Sequence, residues 1–102
     1  MLEKQIEQKL VRLVRDHGGL CLKFLSSTDG WPDRLILMPG GRVLFAELKA
    51  PGKKPRPLQL CRHAQLRARG FDVAILDTPA SVQRLMKRLI VELEDSDEVH
   101  TP

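Results

Sequence analysis

The chain has 102 residues, enough for one compact domain and too few for two. Hydrophobic residues make up 42% and charged residues 29%, the balance of a globular fold, and no apolar run approaches the length of a membrane span. The net charge of +4 conceals an uneven layout: residues 1–91 carry all 17 Lys and Arg against eight of the 13 acids, while "ELEDSDEVHTP" at the end holds the other five.

The opening stretch "MLEKQIEQKL" is charged and does not read as a signal peptide. Leu2, Ile6, Leu10, Val11, Leu13 and Val14 recur at the spacing of an amphipathic helix over residues 2–17, and Gly18-Gly19 ends it. "LCLKFL" (20–25) reads as a strand, "SSTDGWP" as a loop rich in turn formers, and "DRLILM" (33–38) as a second strand. "PGG" is a short hairpin turn into a third strand, "RVLFAELKA" (42–50). Three prolines in "PGKKPRP" forbid regular structure over 51–57. A helix follows from about Leu58 to Arg69, then a fourth strand, "FDVAIL" (71–76). Thr78 and Pro79 form an N-cap and first-turn pair that opens a last helix, expected to reach Leu93. The predicted domain is 1–93, and the acidic tail 94–102 is expected to be flexible.

A hairpin followed by a helical crossover gives an α/β fold with a mixed sheet flanked by helices. Cys21 and Cys61 lack metal-ligand spacing and are expected as buried thiols of a cytoplasmic protein. From Leu48 to Phe71 there are seven basic residues and no acid, a field suited to a polyanion, with nucleic acid first and a membrane surface or acidic protein behind it.

The acids among the apolar strands carry the chemistry. Strand faces alternate with period two, so Val43, Phe45, Glu47 and Lys49 share one face and Leu44, Ala46 and Leu48 the other. Both faces begin apolar, which predicts a central strand. The short turn makes strands two and three neighbours, so Asp33 at the start of one lies near Glu47 at the end of the other. Two carboxylates held together away from water need a proton or a cation between them, and oxygen ligands with open positions suit Mg²⁺ or Mn²⁺. An exposed Glu47–Lys49 salt pair is the alternative. In the first helix, at about 100° per residue, Glu7 falls inside the apolar arc between Val14 and Val11. Glu3 falls there too, but nearer a helix end from which it can reach solvent.

These residues together resemble a known family. "GWPDR" followed by "FAELKAPGKKPRPLQ", with the leading helical glutamate and the "GGL…KF" strand, is similar to the VRR-NUC branch of the PD-(D/E)XK nuclease superfamily, in its stand-alone phage or bacterial form, related to Holliday-junction resolvases. The likeness spans residues 2 to about 90. It implies a restriction-endonuclease-like αβββαβ core plus a C-terminal helix. It also implies that Asp33, Glu47 and the backbone carbonyl of Leu48 bind Mg²⁺ (or Mn²⁺), that Lys49 is the catalytic lysine, and that Gln59 lies near the site. The resolvase register, a glutamate followed by Leu-Val and a later glycine, fits Glu7 with Leu10, Val11 and Gly18. Lys53, Lys54, Arg56, Arg62 and His63 are the expected DNA-binding residues, His63 on a DNA-facing or solvated helix surface. The implied activity is metal-dependent cleavage of branched DNA, four-way junctions included, by a homodimer, with no membrane involved. Two other readings remain: a DNA- or partner-binding module that does not cleave, and a flap or structure-specific nuclease subunit that needs a partner.

Overall fold

The computed structural model describes residues 2–100, with side chains through residue 95. The elements run α1 (Glu3–Asp16), β1 (Leu20–Lys23), β2 (Arg34–Met38), a 3₁₀ turn (Pro39–Gly41), β3 (Arg42–Leu48), α2 (Pro57–Ala68), β4 (Asp72–Leu76) and α3 (Pro79–His100). The strands lie in the order β1-β2-β3-β4; the first three are antiparallel, and β4 joins β3 in parallel after the α2 crossover. The mixed sheet with helices on both faces is the α/β architecture that the strand and helix periods predict.

The β3 strand is interior, and each of its faces meets a different layer. Leu44, Ala46 and Leu48 join Ile36 and Met38 of β2 and Leu76 of β4 under α1 and α3, which contribute Ile6, Leu10 and Val14 and then Val82, Leu85, Met86 and Leu89. On the opposite face Phe45 makes edge-on contacts with Phe24 and Phe71, at ring-centroid distances of 5.3 and 5.9 Å, beneath α2.

Local signals fix the element ends. Gly18 has φ +82°, a conformation open chiefly to glycine, and it closes α1. At Gly19 a Cβ would lie 2.6 Å from Met38 Sδ and 2.8 Å from Val14 Cγ1, so the bare backbone lets β1 turn tightly against the core. Thr78 caps α3: its Oγ1 accepts from the Ser81 N–H at 3.0 Å, and Ser81 Oγ accepts from the Thr78 N–H at 3.2 Å.

Two expectations change. Helix α3 continues past Leu93 to His100, because no Gly or Pro interrupts "ELEDSDEVH"; the tail's last two residues lie outside the described residues. Cys61 is exposed, since α2 turns other residues inward; Cys21 is half-buried, and burial pushes its thiol up to about 11. No helix among the described residues is long and apolar enough to cross a membrane.

Leu44 has 0% exposure at the centre of the main core. Leu44→Ala should cost about 2–5 kcal/mol of unfolding free energy in urea titrations, through lost transfer energy and the cavity left behind; a loss well under 1 kcal/mol would contradict this packing.

Candidate active site

The β2–β3 register brings the two acids face to face. The ladder pairs Met38 with Arg42 and ends with Arg34 opposite Ala46. One step further, Asp33 stands across from Glu47. Asp33 Oδ2 accepts from the Leu48 N–H at 2.8 Å, which anchors the aspartate to the end of β3. Its carboxylate is also within hydrogen-bonding reach of Glu47. The N–H and C=O of one strand residue point the same way, so the Leu48 carbonyl faces Asp33 as well, beyond the last paired rung.

Glu47 is 1% exposed, which removes the alternative of an exposed salt pair. Lys49 Nζ lies 4.0 Å from Glu47 Oε2 and is itself largely covered. The remaining partners come from α2. Gln59 Nε2 donates to Glu47 Oε2 at 3.3 Å, and its Oε1 accepts from the Arg56 N–H at 2.8 Å, so one side chain caps the helix and holds the acid. One turn on, His63 Nε2 lies 3.2 Å from Glu47 Oε1.

The electrostatics follow from this burial. Loss of water, then the hydrogen bond and charge of Asp33, raise Glu47 to about 8, with Glu3 adding repulsion and Lys49 opposing it. His63 is lowered, first by burial and then by Arg67 and Lys49, against the pull of Asp33. These effects favour the neutral imidazole, whose Nε2 donates when the facing Glu47 is ionised and accepts when Glu47 holds the proton. Its Nδ1 is buried and has no hydrogen-bond partner among the described residues.

The carboxylate pair fits a hard divalent cation. Buried acids this close require a proton or a cation between them, and Asp33, Glu47 and the Leu48 carbonyl form an oxygen-only set. Among the described residues no three His, Cys, Asp or Glu side chains gather as a metal cage. That suits Mg²⁺ or Mn²⁺, which bind through one or two carboxylates with waters and a substrate phosphate, better than a structural zinc site.

The structure thus brings Asp33, Glu47, Lys49 and Gln59 together, and strand geometry turns the Leu48 carbonyl to the same side of β3 as Asp33. Two expectations fare differently. His63 has 0% exposure and cannot face DNA, because the i, i+4 spacing from Gln59 turns both side chains onto Glu47. That spacing in the sequence was the available signal for the role missed. Glu7 is not brought to the cluster. Its Oε2 accepts from Arg34 Nε at 3.0 Å, and Arg34 Nη1 donates to the Cys21 carbonyl at 3.1 Å. Helix α1 covers the sheet face away from Glu47, so a place in the apolar arc leads Glu7 to Arg34. Glu3, at the helix start, is the α1 acid whose charge reaches Glu47. Lys53, Lys54 and Arg56 are exposed on the loop after Lys49, and Arg62 is half-buried on the flank of α2.

No protein-family model matches the chain. Over 77 residues it is 49% identical to "Putative nuclease p44" of Acyrthosiphon pisum secondary endosymbiont phage 1, covering 74% of this chain and 83% of that protein. A solved structure described as a VRR_NUC domain superposes with a TM-score of 0.79 at 30% identity, over 83% of this chain and 94% of its own. The chain belongs to the VRR-NUC family of nuclease domains.

The raised Glu47 makes metal-free stability pH-dependent. The folded state holds a proton that the unfolded chain releases near pH 4.5, so stability is full below that value and is lost as pH rises towards about 8. At about 1.4 kcal/mol per pH unit, the upper bound is a few kcal/mol. In EDTA the melting temperature should fall between pH 5 and pH 8, and Glu47→Gln should flatten that slope; an equally steep slope in the variant would assign the dependence elsewhere.

Proposed function

We propose that this protein is a Mg²⁺- or Mn²⁺-dependent endonuclease that hydrolyses phosphodiesters in DNA, with branched DNA, four-way junctions above all, as its substrate. One observation carries the reading: Asp33 and Glu47 oppose each other one step beyond a strand ladder, with Lys49 beside them. A fold-only binding module has no use for a carboxylate that costs stability when it ionises. Family membership and the phage relative support nuclease activity.

In this reading each residue has a physical task. Asp33, Glu47 and the Leu48 carbonyl hold the cation, which when bound lowers the pKa of a water and neutralises charge on the scissile phosphate. Lys49 keeps its ammonium close to Glu47 and offers it to a phosphate oxygen or the attacking water, stabilising charge that develops in line. Gln59 and His63 each donate to one Glu47 oxygen, fixing the carboxylate plane as outer partners of a metal ligand do. Lys53, Lys54 and Arg56 grip the phosphate backbone without reading sequence. A two-fold dimer supplies the second active site that symmetric junction cutting needs.

A labelled four-way junction, a flap and a plain duplex, each with Mg²⁺, Mn²⁺ or EDTA, test the reading. Cutting should depend on the metal and be fastest on the junction. Asp33→Asn and Glu47→Gln should abolish it with DNA binding retained, and Lys49→Ala should slow it on the order of 10²–10³-fold. Binding without cutting under any metal would point instead to the non-cleaving module or a missing partner. Glu3→Gln, which removes a repulsion on Glu47, should not slow cleavage, and Glu7→Gln should leave the rate intact and cost up to about 1 kcal/mol of stability through Arg34; a sharp loss of cleavage in Glu7→Gln would return the helical acid's role to Glu7.

A further inference from the structure

Two residues before Asp33, the loop carries an aromatic ring already paired with a cation. The Arg62 guanidinium carbon lies 4.7 Å from the centroid of the Trp31 ring. Both partners are fixed from behind. Trp31 Nε1 donates to Thr28 Oγ1 at 2.8 Å; Arg62 Nε donates to the Asp29 carbonyl at 3.0 Å and its Nη1 to Gln65 Oε1 at 3.2 Å. Gly30, at φ +91°, presses the loop onto α2, since a Cβ there would lie 2.7 Å from Leu58 and 3.1 Å from Arg62.

The stack forms one wall of an open groove completed by Gln65, Leu66 and Arg69. The groove has an apolar floor, a planar guanidinium, a second cation at its rim and no carboxylate among its lining residues. Trp31 and Arg62 are both half-exposed. Indole and guanidinium planes accept flat, π-faced groups, and the flanking cations accept the phosphate to which such a group is attached. An unpaired nucleotide has both features. A base inside a duplex does not, because its faces are spent on its neighbours.

We propose that the Trp31–Arg62 stack is a platform for an unpaired base of the DNA substrate, held beside the Asp33 end of the active site. This rests on the nuclease reading and adds to it a means of choosing DNA with unstacked bases, such as those at a branch point.

The chain has one tryptophan and no tyrosine, so its intrinsic fluorescence reports on Trp31 alone. The protein is titrated in EDTA with a short oligothymidylate, a blunt duplex, and that duplex bearing a single-stranded thymidine overhang, while anisotropy of labelled DNA follows binding separately. Trp31 emission should fall about twofold or more with the oligothymidylate and the overhang and stay level with the blunt duplex, as base–indole stacking requires. Trp31→Leu should reduce the overhang-over-blunt preference roughly 5- to 150-fold, the worth of one stacked base. Binding by anisotropy with unchanged emission, or equal quenching by the blunt duplex, would overturn the platform and leave the nuclease reading standing if Mg²⁺ still supports cutting. No binding and no cutting on any DNA would remove the nuclease reading and the platform with it.

Discussion

Glu47 is an acid removed from water inside a small protein, and an uncompensated charge there is more expensive than most single interactions in a fold this size. The surrounding elements are arranged around that constraint. The β3 strand is interior because both its faces are covered, and that covering is what withdraws solvent from Glu47. Helix α2 spends its inward face on Gln59 and His63 in place of leucines, each paired with one oxygen of the acid. Lys49 supplies opposite charge from the same strand face. What these groups leave over is the repulsion from Asp33, which a proton on Glu47 relieves and for which a divalent cation is the chemical alternative.

The two faces of β3 differ. Towards α1 and α3 it is apolar from Leu44 to Leu48, with Arg42 at its start paired to Glu92, while towards α2 Phe45, packed between Phe24 and Phe71, adjoins the buried polar cluster. The basic loop after Lys49 and the Trp31 loop before Asp33 leave the sheet at the same end. Lys53, Lys54 and Arg56, the Trp31–Arg62 pair and the two acids therefore all lie towards that end of the sheet.

Much of this was legible in the sequence, and the exceptions have physical causes. The period-two alternation of "RVLFAELKA" placed Glu47 and Lys49 on one face, and a three-residue turn set Asp33 against them; register arithmetic needs no long-range information. The orientation of α2 was not legible from hydrophobicity, because this helix buries Gln59 and His63 while exposing Leu58, Leu60 and Cys61. An apolar-face reading rotates it away from its true position and sends His63 to the surface. Glu7 shows the limit of a helical wheel: the angle around α1 was informative, but which sheet face the helix covers, and the presence of Arg34 beneath it, depend on tertiary packing.

The hairpin between β2 and β3 has a consequence for descent. Asp33 and Glu47 oppose each other only because each arm counts the same number of rungs from the Pro39–Gly41 turn. Deleting one residue from the β3 arm would carry Glu47 to the α1 face and leave Asp33 opposite Leu48, and deleting one from the β2 arm would carry Asp33 itself to the α1 face, opposite Ala46. Lineages can lengthen or shorten this hairpin only by matched changes in both arms, whereas the turn itself, at the far end from the acids, is where the chain can drift.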